Sequence, residues 1–360
     1  MTDLRSVLTE RLDAMTVPAG HLDQARDTGR RIRRRRRVAV AGVAALAVTG
    51  GVGVTTAIDD SSTTVPDESR FASLGTLDFS DGVRAYADPG QTVHLGGREF
   101  PADDLEYLDT DAVATPYGIV FYDLGRPMLL GPSGDVRPLV EPSGAWNTGF
   151  HPTAKADSTA PLVAWATQTD GTATITVRNM ATGRDVASTE VECGGCDELV
   201  IEALDDGVVF VRDGDGTRTW DSATGQWAEF AGPDTRIADV RNGVVLHDGP
   251  APSAPGGWRT VVGPTDAKLT FDGRHVLSWS SRLEPTSRGG APLELEHGPT
   301  DGGLGFWSLD TDGSVLVAEL GKNYAAGYTV YDCELPSGAC EELGPLDPES
   351  GDPMFIGNDM

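Results

Sequence analysis

Residues 204–230 read LDDGVVFVRDGDGTRTWDSATGQWAEF, and their punctuation decides the fold. Asp206-Gly207 is followed by an apolar run, Val208 to Val211. A second glycine turn at 213–216 leads into a run ending at Trp220, and Thr224-Gly225 then opens a last run to Phe230. Short apolar or alternating runs separated by tight glycine turns read as consecutive antiparallel strands, because Asp-Gly supplies the two positive-φ positions a narrow hairpin requires. Beyond residue 70 the chain shows no sustained 3.6-residue periodicity, so it reads as all-β.

The first turn of this stretch recurs along the chain. Aligned on the run that follows, the marks are DFSDGVRAYA at Gly82, TPYGIVFYDL at Gly118, DSTAPLVAWA at Pro161, LDDGVVFVRD at Gly207, VRNGVVLHDG at Gly243, TFDGRHVLSW at Gly273 and DTDGSVLVAE at Gly313. Successive marks are 36, 43, 46, 36, 30 and 40 residues apart, a mean of 38.5. That is close to the period at which four-stranded propeller blades repeat. A second element keeps phase with it: ITVRNMATGRDVAS, TRTWDSATGQWAEF and YTVYDCELPSGACEEL each read strand, Ser/Thr-Gly turn, strand.

On LTFDGRHVLSWSS (269–281) and TWDSATGQWAEF (219–230) the chain resembles the WD40-like and TolB-like β-propeller repeats of bacterial extracytoplasmic proteins, here of a membrane-anchored, actinobacterial type. The resemblance spans about residues 71–345 and implies a fold rather than a function. The third, fifth and sixth units depart from the pattern: Pro161 replaces the glycine, and GGWRTVVGPTD and LELEHGPTD lack the Ser/Thr-Gly pair. The expected architecture is a propeller of about seven four-stranded blades over 71–360. Met354 to Gly357 should supply a strand that fastens the last blade to the first. Trp146, Trp165, Trp220, Trp227, Trp258, Trp279 and Trp307 are expected in the core between blades.

The start of the chain has another character. Leu4, Val7, Leu8, Leu12 and Met15 mark a short amphipathic helix in a tail over 1–37. Arg30, Arg31, Arg33, Arg34, Arg35, Arg36 and Arg37 then precede an uncharged run, Val38 to Ile58. A helix of 21 residues at 1.5 Å per residue crosses roughly 30 Å of hydrocarbon, and an arginine-rich flank stays cytoplasmic. The expectation is one transmembrane helix over 38–58, anionic lipid at the arginine cluster, a polar linker over 59–70, and an extracellular C-terminal domain. A cleaved or twin-arginine export signal is the alternative.

Charge divides with this plan. Residues 1–57 carry net +5, which leaves −32 on 58–360, a field that repels nucleic acid and keeps a domain soluble. All four cysteines lie on the outer side, where disulfides persist. The three possible pairings favour the local one, Cys193 with Cys196 and Cys333 with Cys340, because each needs only a turn. A redox role for CGGC would want the first cysteine at a helix N-terminus, whereas this one runs into a strand-like segment.

No HExxH, GxSxG, Walker or Rossmann pattern is present, so no catalytic residue, metal or cofactor is expected. DGDGTRTWD and DTDG are similar to calcium loops, yet neither has the glycine and glutamate an EF-hand needs, and hairpin turns account for them. Paired acids such as Asp205-Asp206 are uninformative among the 50 carboxylates of the outer segment. The favoured function is a non-enzymatic, single-pass cell-envelope protein that presents its propeller as a binding or scaffolding module for a protein or glycan. The alternatives are a transmembrane sensor whose tail holds a cytoplasmic regulator, and a propeller hydrolase or lyase.

Overall fold

The computed structural model describes residues 75–88, 92–101, 112–123, 125–140, 154–169, 171–193, 196, 199–253, 257–298, 305–321, 327–346 and 353–356. All belong to one compact unit, Thr64–Met360. The expected tail with Arg30 to Arg37, the span 38–58, the linker 59–70 and Trp146 lie outside the described residues. Among the described residues no helix is long and apolar enough to cross a membrane.

The described strands form seven sheets. Blade 1 holds β1 (Tyr86–Asp88), β2 (Thr92–Leu95) and β3 (Arg98–Pro101); blade 2 holds β4 (Val113–Thr115), β5 (Gly118–Asp123), β6 (Arg126–Leu130) and β7 (Val136–Pro138). Blade 3 comprises β8 (Lys155–Ala156), β9 (Leu162–Thr169), β10 (Thr172–Asn179) and β11 (Arg184–Glu192). Blade 4 comprises β12 (Val200–Asp205), β13 (Val208–Asp213), β14 (Gly216–Asp221) and β15 (Trp227–Ala231). Blade 5 has β16 (Arg236–Arg241), β17 (Val244–Asp248) and β18 (Arg259–Val262), and blade 6 has β19 (Lys268–Leu269), β20 (His275–Leu277), β21 (Arg282–Pro285) and β22 (Leu293–Glu294). Blade 7 contains β23 (Gly305–Leu309), β24 (Val315–Leu320), β25 (Tyr328–Cys333) and β26 (Cys340–Leu346). Each of the seven recurring turns immediately precedes the second strand of one sheet, so the chain is a seven-bladed β-propeller.

Closure comes from the C-terminus. β27 (Met354–Phe355) pairs antiparallel with β1, Tyr86 opposite Phe355 and Ala87 opposite Met354, and becomes the first strand of blade 1. The strand expected at Met354 to Gly357 is present over Met354–Phe355, and it completes blade 1.

Seven apolar clusters occupy the seven junctions between neighbouring blades. The period of two in a strand explains how one sequence feeds two junctions. Val209 and Val211 face blade 3, whereas Phe210 between them packs with Ile237 and Val240 of blade 5. Both faces are buried, so the runs read as nearly continuous hydrophobic segments.

Two expectations need correction. Blade 5 has three described strands rather than four, and β18 runs parallel to β17. The intervening GPAPSAPGGW carries Pro250, Pro252 and Pro255, which donate no ladder hydrogen bond, so this stretch cannot fill a central strand position. It acts as a crossover, Ser253 donating to the Phe230 carbonyl of blade 4, and the next strand pairs directly with β17. The missing Ser/Thr-Gly pair is therefore a missing hairpin. Trp279 is the second correction: Trp165, Trp220 and Trp307 are buried and Trp227 and Trp258 half-buried, but Trp279 lies past the end of β20 and is 51% exposed.

Candidate functional site

The turns between first and second strands gather on one end of the propeller. In blades 4 and 5 they are Asp206-Gly207 and Asn242-Gly243, with φ of 49° and 75° and of 49° and 74°. Both residues of each turn are left-handed, the geometry that suits the twist of a two-residue hairpin. These turns, the equivalent loop of blade 3 and the crossover of blade 5 enclose a cleft of about 440 Å³ lined by Thr159, Asp205, Asp206, Asn242, Gly243, Gly257 and Trp258.

The cleft floor is a chain of carboxylates that each reach into the next blade. Asp157 Oδ1 accepts the N–H groups of Thr159 and Ala160 at 2.8 and 2.9 Å, while its Oδ2 accepts from Gly207 at 3.3 Å. Asp205 accepts from Asn242 and Gly243, both at 2.8 Å. Asn242 Nδ2 then donates to the Asp272 carbonyl at 3.0 Å. Asp239 accepts the N–H of Leu269 at 2.9 Å, tying blade 5 to blade 6.

Burial pushes the Asp205 carboxyl upward, and the Asp157 charge adds to this; the two N–H donors and Arg241 pull the other way. Arg241 binds Asp239, Nε to Oδ1 at 3.1 Å, and its Nη1 crosses to the Ala156 carbonyl of blade 3 at 3.1 Å. Its guanidinium also lies 5.3 Å from the Phe271 ring centre. One arginine thus joins three blades beneath the turns. Above this frame, Thr159 and Asp206 are exposed, and the half-buried Trp258 is braced edge-on by Phe210 at 5.2 Å.

The cysteines pair locally, Cys193–Cys196 and Cys333–Cys340, with Cα separations of 4.7 and 4.0 Å. The first pair follows β11 and leads into β12; the second joins directly opposite residues of β25 and β26. DGDG at 213–216 and DTDG at 310–313 are hairpin turns, and among the described residues no group of three or more His, Cys, Asp or Glu is placed to hold a metal. The sequence reading missed Asp157, Asp239 and Arg241, and it passed over Asp205. The available signal was positional: each lies within a few residues of a recurring turn.

No protein-family model and no curated protein matches the sequence. Solved structures similar to this one include TolB from Acinetobacter baumannii, at 12% identity and a TM-score of 0.34, covering 75% of this chain and 65% of that one. An uncharacterized protein from Listeria monocytogenes EGD-e is similar at 9% identity and a TM-score of 0.29, covering 74% and 70%. A puromycin-hydrolyzing peptidase from Mycobacterium tuberculosis stands at 14% and 0.29, covering 73% and 43%. The match therefore spans just under two thirds of the TolB chain.

Proposed function

We propose that the protein is a single-pass, membrane-anchored β-propeller of the cell envelope that holds its propeller outside the cell and binds a partner there without chemistry, through the cleft on blades 3–5. One observation carries the binding reading. The buried carboxylates beneath the cleft, Asp157 and Asp205, are engaged by backbone N–H groups of the turns. A carboxylate committed in this way fixes loop geometry, and the exposed Thr159 and Asp206 with the half-buried Trp258 ring are left to meet a ligand. Rigid turns suit recognition, since a preorganised surface loses little entropy on binding. The anchoring reading rests on the arginine tract and the uncharged 38–58 run; the field of the −32 outer segment favours a cationic or neutral partner.

Protease added to intact cells should remove a domain of about 300 residues and leave the arginine-rich tail protected; a protected propeller overturns the topology. Photocrosslinkers at positions 159 and 206 of the full-length protein should trap a discrete adduct on intact cells, while one at exposed Val186 of β11 should not. Equal labelling at all three positions, or none, removes the cleft as the site.

A further inference from the structure

The opposite end of the propeller carries the connections between blades and the turns between second and third strands. Exposed Trp279 lies there, and its ring is held on two sides. The indole Nε1–H donates to Oδ2 of Asp266, an exposed residue between β18 and β19. The ring also meets Phe306 of β23, with centroids 6.3 Å apart and planes at 74°. Phe306 in turn packs on Tyr328 at 5.7 Å and 65°. Two steeply inclined rings and a carboxylate therefore meet where Trp279 of blade 6 reaches Phe306, whose other side packs on the cluster between blades 7 and 1.

The other charges of the neighbouring strands are paired among themselves. Gly305 pairs with Glu319 across β23 and β24, so that carboxylate leaves the face of the sheet opposite to Phe306, on the blade 6 side, where it holds His297 Nδ1 at 3.0 Å. Arg282, three residues after Trp279, is paired with Glu284 at 2.9 Å and with Glu294 at 3.7 Å.

We propose that Trp279, Phe306 and Asp266 form a recognition site for a cationic side chain, lysine or arginine, presented by a protein partner. An aromatic face is the negative part of the ring quadrupole, and tryptophan attracts cations most strongly. Because Asp266 already takes the indole N–H, the ring has its face left to offer, and the carboxylate beside it adds negative charge to the site. The charge of −32 on the outer segment draws such a partner in and repels anionic ones. Exposed tryptophans rigidly held in this way are the residues that anchor interfaces. This site is separate from the cleft and stands or falls independently of it.

The test uses the full-length protein in neutral detergent, labelled with 5-fluorotryptophan, whose seven ¹⁹F resonances include that of Trp279, assigned by its loss in Trp279→Phe. Nα-acetyl-lysine methylamide and its arginine counterpart should shift this resonance saturably, and the uncharged norleucine analogue should bind about ten-fold more weakly, as expected of a cation–π contact reinforced by a carboxylate. Asp266→Asn keeps an acceptor for the indole and removes the charge; it should weaken the lysine probe roughly five-fold. No saturable shift, an equal response to norleucine, an unchanged affinity in Asp266→Asn, or a stronger response to the neutral sugar chitotriose each overturns the proposal.

Discussion

At the seam between blades 7 and 1, Asp310 reaches across to accept the N–H groups of Val83 and Arg84, both at 2.9 Å. Gly82 makes that approach possible: with φ at 98°, a Cβ there would lie 2.2 Å from the Asp310 carboxylate. Burial pushes the Asp310 carboxyl up to about 6 against the pull of its N–H donors, and Asp312 adds to the rise. Across the seam, the Arg84 guanidinium is taken by Asp332 at 2.8 Å and Glu341 at 3.1 Å. An acid raised in the folded state binds its proton more tightly there than in the unfolded chain. Its stabilisation is therefore fully present below about pH 4 and is lost as pH rises through about 6, a change on the order of 2–3 kcal/mol. Asp310→Asn should flatten that part of the stability profile in urea titrations between pH 4 and 7, and an unaltered slope would sink the assignment. Asp205→Ala should cost about 2–3 kcal/mol, since it strands two N–H groups of the blade 5 turn. None of these contacts was legible in the sequence, where Asp205 was one of 50 carboxylates in residues 58–360 and its partner is 37 residues away.

At the scale of the element, the strands were legible because blades bury both faces, and runs such as Val208–Val211 stand out between glycine turns. Irregular connections were not, because proline says where a strand cannot be without saying what replaces it. In blade 5 the proline-rich crossover is answered by a parallel strand, which keeps the chain running in the right direction for blade 6. The second hairpin of blade 7 carries its own constraint, Cys333–Cys340 across β25 and β26. Closing so short a loop removes only modest freedom from the unfolded chain, roughly 2–3 kcal/mol. Reductant should accordingly lower the thermal midpoint by several degrees without splitting the transition. Two separated transitions would mean that blade 7 melts apart from the ring.

At the scale of the whole molecule, each apolar cluster is shared by two blades, so no blade owns a core and stability is a property of the ring. Several buried acids act together on it. Burial raises the carboxyls of Glu202, Asp205 and Asp332 as well as Asp310, and each contributes stability that fades as pH rises; burial lowers His94 and His247, whose contribution fades as pH falls below 6.5. The raised acids outweigh Asp78 and Asp221, whose carboxyls are held low, and with the relief of a −32 net charge in the outer segment they make the thermal midpoint higher at pH 5 than at pH 7.5. A midpoint that is higher at pH 7.5 would contradict this.

Closure depends on four residues at the end of the described chain. Ile356 is buried in the cluster between blades 1 and 2, its N–H donating to Ala85 at 3.0 Å, while Phe355 packs on the cluster between blades 7 and 1. Deleting residues 353–360 therefore opens two junctions at once and leaves β1 with a bare edge. A buried isoleucine is worth about 2–5 kcal/mol when cut back. With lost strand pairing added, the midpoint of the truncated protein should fall by at least about 10 °C in one cooperative step. Ile356→Ala alone should reproduce a part of that loss with the strand still present. A truncated chain that melts as the intact one does would sink this account of closure and leave the seam contacts of Asp310, Arg84 and the apolar cluster between blades 7 and 1 to hold the ring.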